Sequence, residues 1–93
     1  MTKAILTIDE SSNIMFDCNN HAGDHDACTI MATLCNVLVC SAFRNGKEPT
    51  VYNPGHVRID IMNADEKTIE VFRCVYEAME QAAKQQPEFI KTY

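Results

Sequence analysis

Between Cys18 and Cys28 the chain gathers two thiols, two imidazoles and two carboxylates that could do chemistry: Cys18, His21, Asp24, His25, Asp26 and Cys28. Three readings fit them. In the first, Cys28 is a nucleophile in the first turn of a helix, where free amides and the positive end of the helix dipole stabilise a thiolate. His21 lies upstream across a bend at Gly23, within reach as its base. His25 is an alternative base, and Asp24 or Asp26 an alternative base or an orienter of a histidine. The same amides would hold an oxyanion. In the second reading, Cys18-x2-His21-x3-His25-x2-Cys28 is a zinc site, since zinc accepts two thiolates and two imidazoles in a tetrahedron. In the third, Cys28 is a packed core thiol beside solvated histidines. Spacing alone leaves all three open.

The elements that must position this loop follow from local pattern. Thr2–Ile8 predicts a strand, and Asp9–Asn13 a polar hairpin turn. Ile14–Asp17 predicts a second strand with Ile14, Phe16 and Cys18 on one face. Asp24 or Asp26 is the expected N-cap of a helix that runs to about Phe43 and stops at Asn45-Gly46. Thr50–Asn53 is a short strand, and Asn53-Pro54-Gly55 a turn. His56–Met62 alternates, with Val57, Ile59 and Ile61 inward and Arg58 and Asp60 outward. Asn63 is the expected cap of a second helix, with Glu66 reaching back to it. That helix buries Ile69, Phe72, Tyr76, Met79 and Ala83, and Pro87 ends it. Glu88–Tyr93 forms a final short strand. The order is ββαββαβ, an α/β (α+β) two-layer fold with two helices on a largely antiparallel sheet.

Composition narrows the function. The chain has 93 residues, enough for one domain over positions 1–93. A net charge of −5 argues against nucleic acid as a partner. Five cysteines, an odd count, without a secretory signal point to free thiols in the cytoplasm. The apolar run Ala27–Phe43 is broken by Thr29, Thr33, Asn36 and Ser41, so it is expected to be a core helix with no role in a membrane. It is apolar on more faces than one sheet covers, which implies a homodimer. Cys35 is expected in the core, with a lesser possibility as a resolving thiol for Cys28. Cys40 and Cys74 are expected as buried fillers, and His56 at the surface. Tyr52, Tyr76 and Phe89 are expected in core or interface. No cofactor is expected.

Longer stretches carry a resemblance. Asn20-His21-Ala22-Gly23, followed by Ala27-Cys28-Thr29-Ile30-Met31-Ala32-Thr33-Leu34, resembles the bacterial ribosomal-processing cysteine protease family, Prp. That family has Gly-His-Ala, then Val-Cys-Ala-Ala-Val-Ser at the start of its central helix. Gly55-His56-Val57-Arg58-Ile59-Asp60-Ile61 resembles its Gly-led fourth strand. Gln86-Pro87-Glu88-Phe89-Ile90 resembles its Tyr-Pro-x-Tyr-Ile. The resemblance implies a cysteine endopeptidase with His21 and Cys28 as catalytic pair. The substrate implied is the N-terminal extension of a large-subunit ribosomal protein, or a phage structural protein. Four departures stand out: Asn20 for the family Gly, a shorter His–Cys loop, His25 for an Asp, and Ala32 for a Ser. The alternatives are an inactive Prp-like interaction protein and a zinc module on Cys18, His21, His25 and Cys28.

Overall fold

The computed structural model describes residues 1–93. Its elements are β1 (Thr2–Ile8), β2 (Ile14–Asn19), α1 (His25–Arg44), β3 (Val51–Asn53), β4 (His56–Ile61), α2 (Glu66–Gln85) and β5 (Ile90–Thr92). This is the expected ββαββαβ order. The sheet order is β3-β4-β2-β1-β5. Every pairing is antiparallel except β1 with β5, which is parallel. The parallel pair follows from connectivity: α2 carries the chain from β4 across to the far edge.

The β1–β2 turn closes because the Asp9 carboxylate accepts the amides of Ser11 and Asn13. The Asn13 amide, more than any other contact, holds that carboxyl below its ordinary range. Register then builds three inward rows across the central strands: Ile8–Ile14–Ile61, Leu6–Phe16–Ile59 and Ala4–Cys18–Val57. Both helices cover this face. Phe16, Ile59, Leu38, Phe72, Met79 and Ile90 are its largest fully buried side chains. The opposite face carries Lys3, Asp17, Arg58 and Asp60 toward solvent.

Asp24 caps α1, its carboxylate accepting the Ala27 amide at 3.1 Å. The α1 core face is Ala27, Met31, Cys35, Leu38, Val39 and Ala42. By length and composition α1 would also meet the requirement for a membrane span, so its four polar residues interrupt it less than expected. In this fold it closes over the sheet.

The second helix corrects two expectations. Its cap is Asp65, which accepts the Thr68 amide at 2.8 Å. Asn63 sits at φ 51 and gives its own amide to Asn13 Oδ1, so the capping box does not form. Its buried stripe ends in Ala82, with Ala83 half-buried beside it. Cys40 and Cys74 are also corrections, since both are exposed on the solvent sides of α1 and α2. The Tyr76 hydroxyl ties β5 to β1, lying 3.1 Å from the Ala4 carbonyl and 2.7 Å from that of Tyr93.

Candidate functional site

The third inward row, Ala4–Cys18–Val57, is made of small side chains. Where α1 begins above it, Ala27, Cys28 and Met31 are also too small or too flexible to fill the gap. A cleft of roughly 450 Å³ results, well within the range of ligand pockets. Its walls come from the β2–α1 loop, the first half of α1 and the β3–β4 turn. Thr2, Cys18, His21, Cys28, Met31, Cys35, Tyr52, Gly55 and Val57 are among the residues that line it, and no Asp, Glu, Lys or Arg does.

His21 and Cys28 share this cleft. His21 follows Asn20, which sits at φ 73 and donates its amide to the Gly55 carbonyl at 2.8 Å. That left-handed conformation suits Gly or Asn. Asn20 therefore makes the bend that the family glycine would make. The His21 ring lies against Gly55, where a Cβ would stand 2.8 Å from Nε2. Gly55 is itself at φ 81. Gly55→Ala is therefore expected to displace the His21 ring and to strain the turn by about 1–2 kcal/mol. A changed His21 imidazole NMR shift and a lowered melting temperature would show both effects. An unmoved imidazole resonance would mean the ring does not rest there.

Cys28 stands four residues past the cap, one turn into α1. Its amide is committed to the Asp24 carbonyl at 2.9 Å. The amides of His25 and Asp26 remain without a partner in the chain. Side chains on a helix lean toward its N-terminus, so Cys28 leans toward that first turn.

Asp24, His25 and Asp26 do not line the cleft. Asp24 is occupied as cap. His25 and Asp26 face solvent, 93% and 88% exposed, with a 3.6 Å contact between them. The four-ligand set Cys18, His21, His25 and Cys28 is not assembled. Cys18 is buried, His25 points away, and no three His, Cys, Asp or Glu side chains form a metal-holding group. The resolving role considered for Cys35 toward Cys28 also meets a geometric bar. Seven residues along a helix is ~10.5 Å, beyond the ~7 Å Cα reach of a disulfide.

Two features were missed by reasoning from sequence. Cys18 and Cys35 are both buried and both line the cleft. The neighbouring Cys35 thiol brings Cys18 down to about 7 despite its burial, and Cys18 together with burial pushes the Cys35 thiol up. Thr2 Oγ1 adds a contact to Cys18 Sγ at 3.5 Å. The second feature is His56, expected at the surface but half-buried. It borders the cleft, yet its register partner is Asn19 on the outer face, where its Nε2 lies 3.1 Å from Asp17 Oδ2. The same carboxylate lies 3.9 Å from Arg58 Nη1. The imidazole is thus turned from Cys28 by the pleat. At the other end of the cleft, the Tyr52 hydroxyl donates to Asn36 Oδ1 at 3.0 Å, joining edge strand β3 to α1.

No protein-family model matches the sequence, and no curated protein does. Solved structures do. The essential ribosomal processing protease Prp from S. aureus, crystallised with a covalently linked product peptide, superposes with a TM-score of 0.80. The match covers 99% of this chain and 97% of that one, at 14% identity. The chain has the Prp fold. SMU.848 from Streptococcus mutans shares it, with a TM-score of 0.77, 21% identity, and 99% and 91% coverage. The Prp fold is thus retained from end to end with few identical residues, because the buried rows need only apolar side chains of compatible size.

Proposed function

We propose that this chain is a cysteine endopeptidase of the Prp type acting on a protein or peptide. The observation that carries the proposal is that His21 and Cys28 both line one cleft, free of Asp, Glu, Lys and Arg, within the Prp fold. Such a cleft suits an unfolded peptide segment with neutral side chains. The product peptide held by the S. aureus protease supports that substrate class. The N-terminal extension of a large-subunit ribosomal protein, or a phage structural protein, is the segment proposed. All five cysteines are free, in keeping with a reducing cytoplasm.

In the proposed mechanism His21 accepts the Cys28 proton, and the thiolate attacks the scissile carbonyl. The oxyanion is held by the unpartnered His25 and Asp26 amides at the helix start, toward which Cys28 leans. The imidazolium then protonates the leaving amine, and water releases the acyl group from sulfur. The test is incubation of the purified chain with peptides spanning the ribosomal processing site and the candidate phage segments, read by mass spectrometry. Cleavage at one bond is expected. Binding without cleavage would establish the inactive, interaction-only alternative. Ala32, in place of the family Ser, would then be the first position to restore.

Assembly belongs to the same proposal. Ile30, Thr33, Val37 and Cys40 follow one another at helical spacing on the solvent side of α1, and Ile30 and Val37 are 36% and 44% exposed. A second copy covering this stripe makes the homodimer. Sedimentation at micromolar concentration is expected to show a dimer that Val37→Asp converts to monomer. A wild-type monomer would overturn it.

A further inference from the structure

The cleft is bridged on its edge side by one hydrogen bond. The inward row Ala4–Cys18–Val57 continues onto edge strand β3, where Tyr52 is the register partner of Val57. Tyr52 therefore stands on the same face as these small residues, but it is large enough to reach α1. Its hydroxyl donates to Asn36 Oδ1 at 3.0 Å. The α1 wall of the cleft is Cys28, Met31, Ala32, Cys35 and Asn36, one stripe at helical spacing. Asn36 lies two turns past Cys28, about 12 Å along the axis, roughly the reach of three to four residues of extended chain. Nucleophile and bridge thus mark the two ends of one trough. No strand pairs with the outer side of β3, and Tyr52 is 56% exposed.

We infer that Asn36 anchors the backbone of a peptide in the cleft, and that the Tyr52 hydroxyl occupies this anchor until the peptide displaces it. The inference rests on the peptide-binding function proposed above. Its reason is chemical. An extended peptide brings an N–H and a C=O at each residue, and both need partners once water is excluded. The cleft has no Asp, Glu, Lys or Arg, and Cys18, Met31, Cys35 and Val57 give it a lining of sulfur and hydrocarbon. A carboxamide is the neutral side chain that accepts from an N–H and donates to a C=O at once. Asn36 carries the only one on the α1 wall. Asn53 is paired with His56 and so faces the outer side of the sheet. Tyr52 bonds only to the oxygen of Asn36. Exchange with a peptide therefore replaces one bond to Oδ1 by another, and gives Nδ2 a carbonyl to donate to.

The two partners of this bond then do different work. Without the phenol hydroxyl the bridge is gone, the carboxamide stays, and a peptide meets no competitor for it. Without the carboxamide both bridge and anchor are gone. Removing either partner therefore opens the cleft floor, whereas peptide binding moves in opposite directions. A bond that only held β3 against α1 would move binding the same way from both sides.

The test uses the full chain carrying Cys28→Ala, so that a bound peptide stays whole. A fluorescein-labelled peptide spanning the ribosomal processing site is titrated and read by anisotropy. Tyr52→Phe is expected to lower Kd by roughly two- to tenfold, the range of one neutral hydrogen bond, and Asn36→Ala to raise it by about as much. Both side chains are exposed, so neither change removes a core contact. Added to Asn36→Ala, Tyr52→Phe is expected to have no further effect, since the bond it breaks is already absent. Weaker binding in both single variants, or no change in either, would overturn the anchor. Access to the floor is read without peptide, in chains that keep all five cysteines. Labelling of Cys18 by N-ethylmaleimide, mapped by mass spectrometry, is expected to rise by roughly two- to tenfold in both single variants. Cys40 and Cys74, both exposed, are expected to label as in wild type. Unchanged labelling of Cys18 would overturn the closure by Tyr52. If the Cys28→Ala chain binds no peptide, the function proposed above fails and the anchor with it, while Cys18 labelling still decides whether the bridge closes the cleft.

Discussion

Cys28→Ala is expected to abolish peptide cleavage, and His21→Ala to lower kcat/KM by roughly 10²–10⁴-fold, the usual contribution of a positioned base. The two effects differ because the groups do different work. Without the Cys28 sulfur no acyl enzyme can form, and no other exposed nucleophile lines the cleft beside His21. Without the imidazole the thiol remains, and water or buffer takes its proton slowly. Peptide binding, measured by fluorescence anisotropy, is expected to survive both changes, since the cleft walls are intact. His25→Ala is the control. Its ring is in solvent and outside the cleft, so its rate is expected to match wild type. If His25→Ala is the damaging change and His21→Ala is silent, His21 is not the base.

Phe72→Ala is expected to cost about 3–5 kcal/mol of folding stability, through lost transfer energy and the cavity left behind. Phe72 is fully buried in α2, among the largest side chains under the sheet. A domain of this size holds only about 5–15 kcal/mol in total, so the variant would be near unfolding at 37 °C. Urea denaturation followed by circular dichroism measures the change. Cys74→Ser on the same helix is the contrast: the side chain is exposed, so the change is expected to stay within about 0.5 kcal/mol. A large loss at Cys74 together with a small one at Phe72 would mean that α2 is turned about its axis from the arrangement described here.

These variants also separate what is local in this chain from what is not. The strand Thr2–Ile8, the alternation in His56–Met62, an Asp cap at position 24 or 26 and the stop at Asn45 were legible in the sequence, because each depends on neighbours within one or two turns of chain. So was the Prp resemblance, carried by short runs in the same order as the elements. The buried faces were less legible. Apolar side chains mark Cys40 and Cys74 as candidates for the core, but a helix with apolar residues on several sides does not declare which side meets the sheet. The cap of α2 shows the same limit. Asn63 and Asp65 are both good caps by type, and Asn13, fifty residues away, decided between them by taking the Asn63 amide.

The candidate site divides along the same line. The resemblance to Prp pointed to His21 and Cys28, whereas spacing by itself left several readings open. Spacing could not separate them from His25, Asp24, Asp26 and Cys18, which share the same loop. Tertiary structure separates these side chains in space. Capping occupies Asp24, and the turn of the helix sends His25 into water. Strand register places Cys18 under α1, and the pleat sends His56 to the outer face against Asp17. The glycine on which His21 rests comes from a turn thirty-four residues later in the chain. Local pattern determines which elements form, but their register and stacking determine which side chains share a cleft, because those contacts join segments that the chain itself keeps apart.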